Sequence, residues 1–540
     1  MSLLVTLLGA ALAPFAEAFL TGGMLGAARS PSQLTMAAAG PPASAHDVAV
    51  VGSGPAGCVM ATLLSTKHGL DVAIIDPNID ETWIPNYGVW VEEWEKLDDM
   101  LDIGLRDCLR NVYEVTDCFY GSSHGVPANE RLRLNRPYAQ VRKARQDKTV
   151  SLCCSSCSRN VKIYKSYLDV GAVEHHDTGS NLKLEDGTSL GARMVVDCSG
   201  HESKLIERQG PHDPGFQIAY GIECEVKDGN FAPYAEEAML FMDYRADYAT
   251  APNDSRKHME EVPTFLYAMP QDCPSPLLSP SGGNKIFFEE TSLVARPKIS
   301  FDLCKERLYR RLAHHGIEVT KVEGEEFCYI PMGGSLPRFD QRVVSFGGAA
   351  GFVHAATGYM IVRMLAGSKP AADAMAKELK KDVFSPDLAA QKVYYAMWPA
   401  EARLQRSFHV FGGEFLMQQD ATNLRGFFNG FFKIDLPLWA GFLSGYPGLP
   451  HNEKHRTWGD RFMFGVQFFL QLPNSVKFKL ALAGALEGLK YGLLDSVTPL
   501  ANRAHEEDAA FQAEVAELES QLAAKARPES GKPVKDAITA

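Results

Sequence analysis

The sequence predicts an α/β fold organised around a Rossmann-type dinucleotide-binding unit, and three observations support this prediction. Residues 47–51 form a short apolar run that is typical of a buried parallel strand. The run leads directly into three glycines with the spacing G-x-G-x-x-G, namely Gly52, Gly54 and Gly57. A helix is predicted over residues 56–68, and a second apolar strand then ends at Asp76.

The residue types of this segment fit the binding of a dinucleotide. The first glycine permits a tight turn, the second lets a pyrophosphate approach the backbone, and the third lets the helix pack on the strand. Pro55 and Ala56 begin the helix, whose N-terminal N–H groups and dipole favour phosphate. The Asp76 carboxylate can accept hydrogen bonds from the hydroxyl groups of an adenosine ribose. The segment alone leaves FAD, NAD and a purely structural turn as alternatives.

The composition is that of a globular protein with a large core. Of the 540 residues, 46% are hydrophobic and 22% are charged. The net charge of −12 excludes broad binding to nucleic acid. Cys153, Cys154 and Cys157 form a cluster, but without a second pair of ligands they make a poor zinc site. We therefore expect ordinary or mildly redox-sensitive thiols and no metal site.

The N-terminal segment, residues 1–46, is predicted to be a bipartite plastid-targeting presequence. Residues 3–12 are apolar, and Ala16 and Ala18 supply the small residues of a signal-peptide cleavage site. The stretch that follows contains Arg29 and serines but no acidic residue, as transit peptides do. Plain secretion is the alternative. The cysteines weigh against it, because eleven of them in so long a chain do not form a disulfide framework.

A β-meander in the first half of the chain favours FAD over NAD. A hairpin is predicted at Gly187, and its returning strand ends in an Asp-x-x-Gly segment at Gly200, as in flavoproteins with two dinucleotide-binding folds. The FAD-binding domain is therefore predicted to be discontinuous, over residues 47–214 and 331–370. A mixed β-sheet domain for the substrate is inserted over residues 215–330.

A glycine-rich turn belongs to the second part of the FAD-binding domain. Gly348 and Gly351 follow a predicted strand, and a helix is predicted to begin near Gly358. Thr357, Gly358 and Tyr359 are therefore expected beside the cofactor, where the helix would direct its positive end at an anionic flavin. Flavin-dependent hydroxylases generally carry Gly-Asp at this turn, whereas Gly348 stands here in place of the aspartate.

The sequence predicts that residues 371–500 form a helical, membrane-associating region. Residues 427–442 are rich in aromatic side chains. Residues 476–494 are predicted to form one helix with an apolar face of Phe478, Leu482, Leu486, Leu489 and Leu493. No stretch reaches the ~20 apolar residues of a spanning helix, so a helix in the membrane interface fits better, with a buried core helix as the alternative. The polar tail, residues 501–540, is predicted to be a solvated helix followed by disorder.

Several motifs together resemble the plant and algal lycopene cyclases over residues 47–494. Besides the glycine motif, the matching segments include Asn86-Tyr87-Gly88-Val89-Trp90, Leu134-Asn135-Arg136-Pro137-Tyr138, Phe287-Phe288-Glu289-Glu290-Thr291 and Pro331-Met332-Gly333-Gly334. The sequence departs from the family pattern at Pro85, Phe288 and Ala355. The resemblance implies an FAD-dependent plastid enzyme that acts on lycopene and other carotenoids. It also implies that the flavin works in its reduced form, with NADPH as the reductant.

The reaction implied by the resemblance is an isomerisation in which a linear polyene end closes to a ring. A proton adds to the terminal double bond, a second double bond attacks the cation, and the ring cation loses a proton. Such a site needs a neutral carboxylic acid and aromatic faces, and it must exclude water. Glu289 and Glu290 lie in an apolar strand, as this requires, and Asp243 in another apolar strand is a further candidate.

The two adjacent glutamates are predicted to have different roles, because successive side chains of a strand point to opposite faces. The resemblance assigns proton donation to Glu289. Glu290 would then be a supporting hydrogen-bond partner, for example to an arginine or a backbone N–H.

The expected product carries a β-ring, since loss of the C6 proton from the ring cation gives a conjugated alkene and loss of the C4 proton does not. A lycopene ε-cyclase and a neoxanthin-synthase-like enzyme are alternatives within the same class. An FAD-dependent lipid monooxygenase is the alternative from another class.

Overall fold

The computed structural model describes residues 45–81, 83–142, 160–251, 254–271, 285–499 and 503–526. The described chain has the predicted α/β class, with two large sheets and a helical C-terminal region. Almost all of the predicted presequence, and the cluster of Cys153, Cys154 and Cys157, lie outside the described residues.

The first sheet, which we call the cofactor sheet, contains seven strands within the described residues. Its central strand, Ala45–Val51, pairs in parallel with Val72–Ile75 on one side and Ser189–Asp197 on the other. The remaining strands are Val161–Tyr164, Gly179–Lys183, Glu174–His176 and Val343–Ser345. The last of these pairs in parallel with Ser189–Asp197, so the chain leaves the cofactor sheet and returns to it much later in the sequence.

The central strand of the cofactor sheet is apolar because both of its faces are covered. Val48 and Val50 belong to a core that includes residues of helices Pro55–Thr62 and Ile361–Leu379, and Ala49 belongs to a core on the other side. None of these three side chains retains exposed surface. This burial on both faces is characteristic of a parallel strand between helical or sheet layers. Helix Pro55–Thr62 continues as a π-helical turn over Leu63–Lys67.

The second sheet is mixed, as predicted, and also contains seven strands in the described part of the chain. Only Ala238–Asp243 and Val115–Phe119 pair in parallel there. The strands lie in the order Val319–Met332, Gly215–Val226, Lys285–Ser292, Thr264–Pro270, Ala238–Asp243, Val115–Phe119 and Arg131–Leu134. The last two come from the segment that the sequence assigned to the FAD-binding domain. Helix Phe301–His314 packs on one face.

A three-stranded sheet carries two of the sequence motifs. Its middle strand, Tyr138–Val141, pairs with Tyr87–Trp90 and with Leu109–Tyr113. Helix Val91–Leu101 follows the first of these strands. The short elements elsewhere are strands Thr250–Ala251 and Asp254–Ser255, helix Arg256–Glu261, and 3-10 turns Leu105–Cys108, Val170–Ala172, Lys227–Gly229 and Asn452–His455.

The C-terminal region is helical, as predicted. Its helices are Ile361–Leu379, Pro386–Met397, Ala400–Met417, Ala421–Phe431, Leu436–Ser444, Trp458–Gln471, Asn474–Glu487, Leu493–Val497 and Arg503–Ala526. Phe427, Phe431 and Phe442 are buried, and they pack with Phe464 and Phe468. Their aromatic cluster is therefore a core and not an outward face. None of the helices in the described residues has the length and apolar character needed to cross a membrane.

The prediction of one helix over residues 476–494 is wrong, because the structure has helices Asn474–Glu487 and Leu493–Val497 instead. The chain between them turns through Gly492, which adopts a φ of +70° that disfavours other residues. The apolar periodicity continues across this turn, and for that reason the sequence pattern did not reveal the break.

The polar tail contains the predicted helix, Arg503–Ala526, but this helix is not fully solvated. Phe511 and Val515 are buried against Leu388, and the Phe511 ring stacks on Tyr395 with 3.9 Å between the ring centroids. The tail helix is therefore docked on the rest of the helical region.

Candidate active site

A cavity of about 810 Å³ lies where the cofactor sheet and the second sheet meet. Its walls include the ends of three cofactor-sheet strands, at Val51, Ile75 and Cys198, and residues of the second sheet such as Tyr267 and Glu289. The volume is typical of sites for small molecules and cofactors. The predicted dinucleotide site and the predicted acid therefore line one cavity.

The glycine motif forms one end of this cavity. Gly52 has a φ of +101°, and a side chain there would collide with the backbone of Cys198 at 2.6 Å. A Cβ on Gly57 would lie 1.9 Å from the Gly52 carbonyl oxygen, so this glycine serves helix packing and does not itself line the cavity. Gly54 differs from both, because a Cβ built there meets no atom within 4 Å and would project into open space.

Further predicted cofactor residues also line the cavity, namely Pro55, Ala56, Asp76, Gly200, Gly348, Thr357, Gly358 and Tyr359. The carboxylate of Asp76 is held in place, since it accepts hydrogen bonds from the N–H and the hydroxyl of Ser53, at 2.6 and 2.9 Å. Gly351 adopts a φ of +78° in its turn but does not line the cavity, in contrast to its prediction as a cofactor ligand.

These residues fit an FAD molecule by shape and by charge. Gly54 and Gly200 leave space where any side chain would fill the cavity. Gly54 also precedes helix Pro55–Thr62, whose first turn directs N–H groups towards that space. Asp76 supplies a carboxylate at the end of the neighbouring strand. The cradle thus offers a pyrophosphate site and a ribose site in the expected order.

Aromatic side chains line the other end of the cavity. The ring of Trp90 contacts Tyr138 edge-on at 4.8 Å between centroids, and it contacts Phe241 at 5.4 Å. Tyr267 and Phe428 extend this wall. Such a surface accommodates a hydrocarbon chain, and its ring faces stabilise a carbocation.

Glu289 is the predicted acid that the structure places at this aromatic end. Its carboxyl group faces the cavity, and among the described residues no ion pair involves it. Burial, together with the charge of Glu326, raises the pKa of Glu289 to about 8. A carboxylic acid with this pKa is protonated at neutral pH, so it can donate a proton to a ligand in the cavity.

Glu290 points to the opposite face of the same strand, as the alternation of side chains predicted. Its two carboxylate oxygens accept hydrogen bonds from Arg311, each at 2.9 Å, and both side chains are fully buried. The hydroxyls of Thr264 and Tyr248 donate to the same carboxylate. Glu290 does not line the cavity. The structure therefore does not support Glu290 as a proton donor, and it gives the residue an arginine partner instead.

Asp243 also lies outside the cavity, in a second buried ion pair. Arg245 donates to it at 2.6 Å, and the Tyr234 hydroxyl donates at 2.8 Å. Burial alone would raise the pKa of Asp243, but the hydrogen bonds and charges of Arg245 and Arg311 outweigh it and lower the pKa below its usual value. This carboxylate is charged and cannot act as the acid, in contrast to its prediction as a candidate.

The sequence did not reveal a second cavity-facing carboxyl group, Glu326, which lies on strand Val319–Met332. This strand carries several exposed glutamates, so its sequence gives no reason to single out Glu326. Only the pairing of this strand with Gly215–Val226 shows that Glu326 faces the cavity, and the sequence alone does not specify that pairing.

A buried pair between Glu93 and Arg136 also escaped the sequence analysis, although Arg136 lies in a recognised motif. Arg136 donates to Glu93 at 2.7 Å, and its guanidinium group stacks on Trp90 at 4.1 Å from the ring centroid. The Tyr359 hydroxyl donates to the other oxygen of Glu93 at 2.8 Å. Burial raises the pKa of Glu93 to about 7. The Glu93–Arg136 pair therefore holds the rings of Trp90 and Tyr359 in the cavity wall.

The fold and the glycine-lined cavity define the class of protein as an α/β protein with the fold of FAD-dependent oxidoreductases. The chain is similar to a geranylgeranyl bacteriochlorophyll reductase-like protein from Thermoplasma acidophilum, with 13% identity and a TM-score of 0.55, over 84% of this chain and 100% of that one. It is also similar to a variant of the halogenase PltM in complex with FAD, with 14% identity and a TM-score of 0.52, over 88% and 96%. At these identities the likeness concerns the fold alone.

Within this class, the chain belongs to the lycopene cyclase family, because the family model for lycopene cyclase protein matches residues 47–464. A lycopene beta cyclase from Capsicum annuum is 37% identical over 442 residues, which cover 82% of this chain and 81% of that protein. A lycopene beta cyclase from Arabidopsis thaliana is 36% identical over 444 residues, with 82% and 81% covered. A capsanthin/capsorubin synthase from Citrus sinensis is 38% identical over 401 residues, or 74% of each chain.

We predict that Gly54→Val abolishes the retention of flavin without unfolding the protein. Gly54 has a φ of −65°, which valine can adopt, and the side chain would enter the open space of the pyrophosphate site. The measurement is the flavin absorbance of the purified protein together with its circular dichroism. Gly210→Val is the control, because a Cβ there also meets no atom within 4 Å but lies away from the cavity. A Gly54→Val protein with a full complement of flavin would refute the assignment.

We predict that Glu290→Gln destabilises the protein by about 3 kcal/mol, because it removes the charge of the carboxylate that binds the buried guanidinium of Arg311 and leaves the more distant Asp243, at 3.9 Å, as counter-charge. Denaturant unfolding of the purified protein measures this loss. Glu289→Gln is the matched control on the same strand, and since no ion pair is broken there, it should change the free energy of unfolding by less than about 1 kcal/mol. Equal stabilities of the two variants would contradict the structural role of Glu290.

Proposed function

We propose that this protein is an isomerase that closes the linear ends of lycopene to β-rings in carotenoid biosynthesis. The observation that carries the proposal is the carboxyl group of Glu289, which is neutral at pH 7 and faces an aromatic cavity shared with a dinucleotide cradle. The similarity to lycopene beta cyclases over more than four-fifths of the chain supports the choice of substrate and of ring type.

The residues of the cavity supply what the cyclisation requires. Glu289 donates its proton to the terminal double bond of the polyene, and this leaves a tertiary cation. The faces of Trp90 and Phe241 stabilise this cation while the second double bond attacks it. The apolar walls exclude water, which would otherwise trap the cation as an alcohol. Loss of the C6 proton then completes the β-ring.

FAD is the proposed cofactor, held by the glycine motif, Asp76 and the segment Thr357, Gly358 and Tyr359. Reduced FAD would supply negative charge near the cation, and NADPH is the proposed reductant, with no net oxidation of the substrate. Helix Ile361–Leu379 begins next to the cavity, and its positive end favours an anion there. The chemical role of this chain is thus to position the cofactor and to deliver a proton.

Expression in a bacterium that accumulates lycopene tests the proposal, with the pigments analysed by chromatography. We expect β-ringed carotenoids, whereas ε-ringed pigments would indicate an ε-cyclase. An epoxycarotenoid is the second substrate to test, because a neoxanthin-synthase-like enzyme is the alternative within the same class. Turnover by the chemically reduced enzyme without oxygen separates cyclisation from the FAD-dependent lipid monooxygenase, which requires oxygen.

In the turnover assay with the chemically reduced enzyme, we predict that Glu289→Gln lowers turnover by about 10² to 10⁴-fold while flavin still binds. The variant keeps the shape of the acid but has no transferable proton. For the wild-type enzyme, kcat should be constant at neutral pH and decline as the pH rises through the pKa of about 8, since only the protonated acid is active. A Glu289→Gln protein with wild-type turnover would exclude Glu289 as the proton donor.

We also propose that the protein lies in the plastid and binds the membrane surface through an exposed apolar patch. The patch consists of Trp458, Phe462, Met463, Leu470, Phe478, Leu482, Leu486 and Leu489, each at least 40% exposed. The chloroplastic names of the relatives support the compartment, and the partitioning of lycopene into bilayers supports the membrane.

The patch is well placed to pass an apolar substrate to the cavity. Helix Trp458–Gln471 exposes Phe462 on its outer side, while its Phe464 and Phe468 pack on helix Ala421–Phe431. That second helix contributes Phe428 to the cavity wall. Helices Trp458–Gln471 and Ala421–Phe431 therefore lie between the apolar surface and the aromatic end of the cavity.

We predict that the double substitution Phe478→Glu and Leu486→Glu reduces binding to phosphatidylcholine vesicles by at least about tenfold, because two charges would have to enter the interface. These side chains are 71% and 73% exposed, so the fold should be retained. Vesicle co-sedimentation is the measurement, and Ile163→Glu on the cofactor sheet, at 43% exposure, is the control. Unchanged co-sedimentation of the double variant would contradict this surface.

A further inference from the structure

Glu289 and Glu326 occupy the same row of the second sheet. Strand Gly215–Val226 lies between their two strands, and its Gly221 pairs with Glu289 on one side and with Glu326 on the other. Directly paired residues of antiparallel strands project to the same face of a sheet. Both carboxyl groups therefore face the cavity, and both line it.

The residue that lies between the two glutamates in this row is a glycine, Gly221. A Cβ at Gly221 would lie 2.8 Å from the ring of Phe287, which covers this position. The backbones of Glu289 and Glu326 are two strand spacings apart, roughly 9–10 Å, and the charge of Glu326 acts on Glu289 across this distance. The two acids are thus neighbours in space although they are distant in sequence.

The surroundings of Glu326 favour its charged form. The backbone N–H of Asn86 lies 3.0 Å from each of its two oxygens, and the thiol of Cys328 donates at 2.8 Å. Hydrogen bonds from such donors stabilise a carboxylate. Burial, and then the charge of Glu326, raise the pKa of Glu289, so the proton stays on Glu289 when Glu326 is ionised.

We propose that Glu326 is the catalytic base of this site, which takes the C6 proton from the ring cation that the acid Glu289 creates. This inference rests on the proposed cyclase function. Glu289 gives one proton to the terminal double bond, and the C1–C6 bond forms as the second double bond attacks. The C6–H bond then breaks, its electrons form the ring double bond, and Glu326 receives the proton. The proton returns to Glu289 within the cavity between turnovers, so protons balance.

Few other groups near the pair titrate at neutral pH. Tyr267 lies near the pair on the neighbouring strand, and Tyr138 and Tyr87 lie near it on the three-stranded sheet. Cys304 lies on the helix that covers the other face of the second sheet. Burial raises the pKa of each of these four groups further above neutrality. Glu93 on helix Val91–Leu101 also titrates near neutrality, because burial raises its pKa to about 7, and Cys328 contacts Glu326 directly. The infrared band that Glu289→Gln removes therefore assigns a change near pH 8 to Glu289.

The test is Glu326→Gln, with turnover of lycopene and its pH profile measured on the flavin-loaded enzyme. We expect kcat to fall by about 10²-fold, because the base is lost. We also expect the alkaline limb of the profile to move to lower pH by about one unit, because the negative charge that raises the pKa of Glu289 is gone. An infrared titration of the Glu289 carboxyl band, absent in Glu289→Gln, should show the same shift without turnover.

Glu325→Gln is the matched control, since Glu325 directly precedes Glu326 on the strand, faces the other side and binds Lys305. It should change neither kcat nor the alkaline limb. A wild-type enzyme that cyclises lycopene, together with a Glu326→Gln enzyme of unchanged kcat and pH profile, would overturn the proposal. A wild-type enzyme that does not cyclise lycopene would refute the proposed function. In that case the infrared titration would still test whether the charge of Glu326 raises the pKa of Glu289.

Where Glu326→Gln fails to retain flavin, Glu326→Asp replaces it. Aspartate keeps the negative charge, but its side chain is one methylene shorter. The high-pH decline of kcat should therefore stay within about half a pH unit of its wild-type position, while kcat falls by about tenfold or more. Unchanged kcat in this variant would contradict the role of Glu326 as the base.

Discussion

The alternation of side chains along strand Lys285–Ser292 is the constraint on which the site depends. It separates two chemically identical residues by environment. Glu289 faces an apolar cavity and is neutral, whereas Glu290 faces a core in which the buried Arg311 holds it as a carboxylate. A slip of one residue in the pairing would exchange the two faces, so Glu289 would face Arg311 and Glu290 would enter the cavity. The antiparallel ladders on both sides of the strand prevent such a slip.

Local sequence was sufficient to predict the parts of the molecule that depend on local physics. The turn at Gly52 and Gly54 requires particular backbone freedom within a few residues, and the structure contains it where the motif predicted it. The opposite facing of Glu289 and Glu290 follows from strand geometry alone. By contrast, Glu326 enters the site through a register that joins residues a hundred positions apart, and no local pattern encodes that pairing.

Apolar periodicity indicated helices in the C-terminal region but not what covers them. The aromatic residues from Phe427 to Phe442 have the composition of a membrane-facing segment, yet the structure buries them against Phe464 and Phe468. Phe478 and Leu486, which the sequence placed on one apolar face, remain exposed. The two groups differ in tertiary neighbours and not in hydrophobicity, so only the fold distinguishes core from surface.

In the proposed reaction Glu289 is the acid at the aromatic end of the cavity, and this imposes an order of events on a substrate with two identical ends. Each end of a symmetric polyene must reach the same carboxyl group, and the rigid chain cannot present both at once. After the first ring closes, the molecule has to withdraw and re-enter with its other end foremost. The one-ringed product therefore leaves the cavity between the two cyclisations. The ratio of one-ringed to two-ringed product depends on how long it stays outside the cavity.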